Sequence, residues 1–185
     1  MSNSISIRPL HTGSPEIKEA LDLYVEAFPL CERRDNDEWL ACLDESNGKP
    51  FTLFGIFKES SFMGFFTCWE LDGFVYGEHF AVNSKARGNG IGAQTVKALK
   101  SHYAPLPFIL EVETPEGEMA VRRIGFYQRQ GFHLNDEKYL QPPYRESEDW
   151  FELKLMSTDP KYLTENFEHV RNEIYQKVYN VKSDK

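Results

Sequence analysis

Cysteine is scarce in this sequence: Cys31, Cys42 and Cys68 are odd in number, widely spaced, and form no CxxC pair. That pattern excludes a disulfide framework and offers no metal-ligand spacing, so reduced, mostly packed thiols and no bound metal are expected. Long apolar runs are also missing. No stretch is long enough to span a bilayer, and the opening MSNSISIRPL lacks the apolar centre of a signal peptide. The expectation is a cytoplasmic protein without a membrane partner. Positive charge is in deficit, and a net charge of −8 argues against a nucleic-acid partner. There is no GxSxG nucleophile motif, no Gly-Lys-Ser/Thr of a triphosphate site, and no internal repeat.

What is present suits one α+β domain. Apolar residues make up 41% of 185 positions and aromatics 14%, enough to bury a core. Ile5 and Ile7 alternate as in a short strand. Ser14-Pro15-Glu16 reads as a helix start with Ser14 as N-cap, and Ile17 to Phe28 is amphipathic up to Pro29. A shorter helix is expected over Glu38 to Leu43, and a turn at Asn47-Gly48. Phe51 to Phe57, Phe62 to Leu71 and Phe74 to Val82 form an antiparallel meander, with tight turns at Lys58–Ser61 and Asp72-Gly73.

Pro107 to Glu113 is the next strand, Glu118 to Gln130 a helix stopped by Gly131, and Trp150 to Met156 a last strand. His133 to Asp149 reads as a loop or broken ribbon. A strand–loop–helix–strand unit in the middle implies one parallel crossover in an otherwise antiparallel, mixed sheet flanked by helices. The domain is expected over residues 1–156. A C-terminal helix in 157–185, with the stripe Phe167, Val170, Ile174 and Val178, folds back on the chain or covers a partner in a dimer.

The most informative run is Arg87-Gly88-Asn89-Gly90-Ile91-Gly92. It follows the strand ending at Val82 and opens a helix with Ile91, Thr95, Val96 and Leu99 on one face. Glycines there let backbone N–H groups turn outward, and the helix N-terminus adds positive potential, so the junction suits a pyrophosphate.

Together with Phe126-Tyr127-x-x-x-Gly131-Phe132, the stretch HFAVNSKARGNGIGAQTV resembles the donor-binding segment of the GNAT superfamily of acyltransferases. The order of elements is also similar, up to Met156. The resemblance implies acetyl-CoA as co-substrate. Its diphosphate would lie on the N–H groups of Arg87, Gly88, Asn89, Gly90, Ile91, Gly92 and Ala93. Its pantetheine arm would run along Phe80, Ala81 and Val82, in a gap where that strand parts from the one holding Leu110. Ala120 departs from the family, many members of which carry asparagine there. Arg122 or Arg123 is then the candidate to reach the CoA phosphates.

Acyl transfer to an amine needs a base, a donor for the oxyanion and a proton for the departing thiolate. Tyr127 matches the tyrosine that supplies the proton in relatives, the alternative being a packed aromatic. Glu111, in Leu110-Glu111-Val112, resembles the base of ribosomal-protein N-terminal acetyltransferases. Glu78 is the rival. Two carboxylates on one cavity would raise each other's pKa, while the plainer reading pairs either acid with Arg122 or Arg123. Glu111 and Glu113 share a strand face that could bind a cation. His79 reads as a core histidine, Trp39, Trp69 and Trp150 as core-formers, and Arg33-Arg34 as too short a cluster to signify. Gln141-Pro142-Pro143-Tyr144 either shapes the acceptor pocket or makes a surface turn.

The leading expectation is therefore an N-acetyltransferase acting on a small-molecule or peptide amine, as monomer or homodimer. A non-catalytic acyl-CoA sensor would need the glycine loop but neither Tyr127 nor the acids. A dinucleotide-binding oxidoreductase fits poorly, since three strands precede the loop where one should.

Overall fold

The computed structural model describes residues 4–44 and 48–181, which fall into two compact units. Asn47 of the expected turn lies outside the described residues; Gly48 sits in a turn at φ +60°.

The first unit joins residues 1–69 to 78–102. Strand β1 (Ile5–Leu10) pairs antiparallel with β2 (Phe51–Lys58), and β2 with β3 (Ser61–Leu71). Helix α1 (Ile17–Ala27) and the short α2 (Asn36–Ala41) cover Leu53, Phe57 and Phe65. Tyr24 of α1 stacks on Trp39 of α2 at 4.6 Å between ring centroids, in a cluster with Leu10, Leu23 and Leu43. Burying such large apolar faces stabilises these short helices far more than their intrinsic propensity does. Two expected boundaries move. Ser14 Oγ accepts the His11 N–H at 2.9 Å, so it closes a local turn and Glu16 takes the cap position. The second helix begins at Asn36 rather than Glu38, because Asp35 is already extended and can precede a first turn.

A β-bulge in β3 shapes what comes next. Ile56 pairs with Gly64 and Phe57 with Phe62, which leaves Met63 as the extra residue. The Met63 carbonyl accepts the Asn83 N–H at 2.8 Å, and Asn83 Nδ2 donates to Phe62 O at 3.1 Å. Asn83 follows β4 (Phe74–Val82) directly, so the bulge fastens the end of that strand. A Cβ on Gly64 would come within 2.2 Å of Ala81 O, a backbone atom, which is why glycine stands there.

The second unit joins residues 70–77 to 103–185. The start of β4 pairs parallel with β5 (Phe108–Glu113), from Val75↔Phe108 to Gly77↔Leu110. Strand β5 pairs antiparallel with β8 (Phe151–Ser157), which also carries two short strands, β6 (His133–Leu134) and β7 (Tyr139–Gln141). The segment 133–149 is thus a broken ribbon. The sheet is mixed, with β4–β5 its one parallel pair among the described residues.

Helix α4 (Glu118–Arg129) ends in a double bond, Phe132 N–H to Tyr127 O and Gly131 N–H to Gln128 O, with Gly131 at φ +84°. That αL closure is available to glycine at little cost.

The C-terminal segment packs within this unit as α5 (Pro160–Glu165), α6 (Phe167–Glu173) and a π-helical turn at Ile174–Val178. The helix read from the apolar stripe begins at Phe167, just after Asn166, and turns π-helical at Ile174; α5 is an additional short helix ahead of it. Leu163, Val170, Ile174 and Val178 are buried, and His169 Nε2 lies 3.0 Å from Asp72 O. Trp150 is not a core residue. It is 45% exposed, because it precedes β8 rather than lying on its inner face.

Candidate active site

In the first unit β4 leads through a 3₁₀ turn (Ser84–Ala86) into the glycine loop and then α3 (Ile91–Tyr103). Ala86 and Ile91 bracket the loop and are buried on Ile56, with Met63, Phe80 and Val82 packed alongside. The residues between them, Arg87 to Gly90, are exposed. Both ends are therefore anchored by apolar contacts while the middle presents backbone to solvent.

Gly88 and Gly90 adopt φ +81° and +72°, and a Cβ would meet nothing within 4 Å at the first and only Gln94 Nε2, at 3.9 Å, at the second. The left-handed backbone, not crowding, is what requires glycine here. Gln94 N–H donates to Gly90 O at 3.1 Å, so the N–H groups of Ile91, Gly92 and Ala93 precede the helical ladder. Arg87 Nε donates to Val82 O at 3.0 Å. A cavity of about 560 Å³ adjoins the loop, lined among others by Lys58, Asn83, Lys85 and Asn89. An anchored, exposed glycine loop, two lysines on the adjoining cavity and a helix start fit a diphosphate.

Glu78, on β4 in the same unit, is enclosed. Arg34 Nη1 donates to its Oε1, and Trp69 Nε1 donates to Oε2 at 2.8 Å. The pair is buried, with side chains 8% and 1% exposed, and the guanidinium stands 5.3 Å over the Trp69 ring. Burial alone would raise the Glu78 pKa. The Arg34 charge outweighs it and, with His79 and Trp69, holds the carboxyl well below its usual range. Arg34 is the residue sequence reasoning dismissed; a partner 44 positions away leaves no local signal. His79 is a core residue, its Nε2 2.9 Å from Glu32 O and its ring edge-on to Tyr24 and Phe28.

In the second unit Glu111 lies half-buried on β5 among hydroxyls. Tyr139 O–H donates to Oε1, while Gln141 Nε2 and Tyr179 O–H reach Oε2 at 2.6 and 3.0 Å. Burial raises its pKa, and the donors from Tyr139, Tyr76, Gln141 and Tyr179 moderate that rise. The expected mutual elevation of two acids is not what moves either group: burial lifts Glu111 and an arginine depresses Glu78. Arg122 and Arg123 pair with other acids. Arg123 Nη1 holds Glu113 at 2.7 Å, and Arg122 approaches Glu118 at 3.8 Å, both at exposed sites. Gln141 belongs to the run singled out for the acceptor pocket, whereas Tyr179 sat unmarked beside the apolar stripe.

Tyr127, on α4 of the second unit, is buried with its ring 5.1 Å from Phe126 and 5.5 Å from Phe132. Burial pushes its phenol up to about 12, slightly opposed by Arg123. It therefore keeps its proton at neutral pH.

The model of the acetyltransferase (GNAT) family matches residues 17–132, well over half of the chain. A solved protein of Bacteroides thetaiotaomicron, assigned to the GNAT-family acetyltransferases, is 36% identical and superposes with a TM-score of 0.89. That match covers 96% of this chain and 99% of the other. YjbC of Bacillus subtilis (strain 168), assigned as an acetyltransferase, is 25% identical over 120 residues, 63% of this chain and 61% of the relative's own length. A variant of the spermidine N-acetyltransferase SpeG from Vibrio cholerae is 12% identical. It covers 90% of this chain and 99% of its own at a TM-score of 0.63, a likeness of fold alone. Among the described residues no helix is long and apolar enough to cross a membrane, and no cluster of metal-ligating side chains occurs.

Proposed function

The chain belongs to the acetyltransferase (GNAT) family, and from that membership we propose that it moves an acetyl group from acetyl-CoA to a primary amine by direct attack. It is an enzyme of the acyltransferase class. The observation that carries the finer reading is the loop from Arg87 to Gly90, exposed between two buried anchors with both glycines left-handed. Acetyl-CoA supplies an activated thioester; what remains is what the chain's own residues do.

The N–H groups from Arg87 to Ala93 bind the diphosphate, with Lys58 and Lys85 adding positive charge from the cavity wall. Main-chain groups of Phe80, Ala81 and Val82 pair with the pantetheine amides. Arg87 occupies Val82 O in this structure, so turning Arg87 to a phosphate releases that acceptor. Glu111 takes one proton from the bound ammonium, freeing the lone pair that attacks the thioester carbonyl, and the nitrogen gives up its second proton to solvent as the carbon–sulfur bond breaks. Its raised pKa suits proton uptake, whereas Glu78, held ionised by Arg34, has little affinity for one. Tyr127 gives its proton to the departing sulfur.

Replacing Tyr127 by Phe is expected to lower turnover about 10²-fold and leave the acetyl-CoA Kd unchanged. Unaltered turnover would assign Tyr127 to packing against Phe126 and Phe132. A screen of amines with acetyl-CoA, followed by free-thiol release, tests the reading as a whole. Polyamines, amino acids, aminoglycosides, peptide N-termini and lysine side chains form the panel. Thiol release above the hydrolytic rate with one class supports it, and none with any class opposes it.

A further inference from the structure

The segment after residue 132 lies outside the family match, and its last turn delivers Tyr179 to Glu111. Tyr179 N–H bonds Ile174 O, five residues back, at 3.3 Å, which closes the π-helical turn. The wider turn keeps Ile174, Val178 and Tyr179 together on the buried side, and Asn180 at φ +55° ends it. π-turns are uncommon and often sit at functional sites.

Hydrogen-bond counting assigns the donors that Gln141 and Tyr179 present to Glu111. Gln141 Nε2 has two hydrogens and uses them on Glu111 Oε2 at 2.6 Å and the Tyr179 oxygen at 2.8 Å. The single Tyr179 hydrogen goes to Glu111 at 3.0 Å, and the Tyr76 oxygen lies 3.3 Å from the Tyr179 oxygen, a contact in which either hydroxyl can donate. A carboxyl that gains a proton becomes a donor and needs an acceptor. The Gln141 amide nitrogen cannot accept. Tyr179 can: its O–H swings to the Tyr76 oxygen, and its own oxygen receives the new Glu111 proton.

We propose that Tyr179, brought in by the C-terminal π-turn, is a positioning residue that holds Glu111 ready to accept and release a proton. This rests on reading Glu111 as the base. The groups facing Glu111 are Tyr76 on β4, Tyr139 and Gln141 on β7, and Tyr175 and Tyr179 of the π-turn segment, with Tyr144 behind them against Tyr179. On β8, Lys154 spends its ammonium on the carbonyls of Asp136 and Glu137, at 2.6 and 3.2 Å. Tyrosine donors therefore dominate the surroundings, and removing one strips more stabilisation from the ionised form, whose hydrogen bond is charge-assisted, than from the neutral one.

The test is a carboxyl titration by NMR on protein labelled with [¹³C]glutamate, the Glu111 signal assigned by its loss in Glu111→Gln. Tyr179→Phe is expected to raise the Glu111 midpoint by about one pH unit, the worth of a hydrogen bond to a charged group. Installing 3-fluorotyrosine at position 179, a stronger donor of nearly the same shape, is expected to lower it. That second arm decides alone should Tyr179→Phe fail to fold. Midpoints unmoved in both overturn the inference. If Glu111→Gln meanwhile abolishes transfer to the amine found in the screen, the base assignment survives that result. If Glu111→Gln transfers acetyl at the parental rate, the base assignment falls and the positioning role with it.

Discussion

Replacing Arg34 by Ala is expected to cost about 3–5 kcal/mol of folding stability, because it leaves the Glu78 carboxylate buried without a counter-charge. Glu78 would keep the Trp69 N–H but lose the guanidinium that offsets its desolvation. The loss depends on pH in a defined sense. The Glu78 pKa is depressed in the folded chain from an ordinary value of 4.5, so the pair's contribution is present in full above that value. It fades as pH falls toward the folded-state value. The gap between parent and Arg34→Ala should therefore be widest near neutrality and narrow in acid. Arg34→Met with Glu78→Gln should cost much less than Arg34→Ala, since no lone charge remains. Urea unfolding at several pH values measures both. A gap independent of pH, or a double variant as unstable as the single one, would show that Arg34 acts through packing on Trp69 instead.

Glu111→Gln is expected to lower kcat/KM for the amine by about 10²–10⁴-fold, the usual contribution of a positioned base, with acetyl-CoA affinity unchanged. The residual activity should rise with pH as more amine is deprotonated in solution, and the acidic limb due to Glu111 should disappear. Glutamine keeps the side-chain volume, so the cluster of Tyr139, Gln141 and Tyr179 is preserved in shape, and thermal unfolding run alongside reports any loss of folding. Parental kcat/KM in Glu111→Gln would mean that water takes the proton and that Glu111 is a buried structural acid.

Much of the framework was legible in local patterns. The strand Phe74–Val82, the helix beginning at Ile91 and the stop at Gly131 all fall where alternation, a glycine loop and a C-cap glycine put them. Each of these signals acts within a few residues. The misses arise where a competing partner decides the outcome. Ser14 was drawn off by the His11 N–H, and the C-terminal stripe kept its apolar positions through a change of helix type at Ile174. The glycine loop could be named from sequence because its demand is on the backbone. The surroundings of the two acids could not. Arg34 reaches Glu78 across 44 positions, and the donors on Glu111 come from β7 and a turn 68 positions away. The sequence therefore left Glu111 and Glu78 as rivals, and those contacts are what the proposal of Glu111 as the base rests on.

Calorimetric titration of CoA and acetyl-CoA into the protein, with Gly90→Glu alongside, bears most directly on the donor loop. The account predicts saturable heat for both ligands and its loss in Gly90→Glu, where a side chain would strain the φ +72° backbone and set a carboxylate against the diphosphate. Absence of heat with either ligand at millimolar concentration, or a Gly90→Glu variant that binds as the parent does, would contradict it.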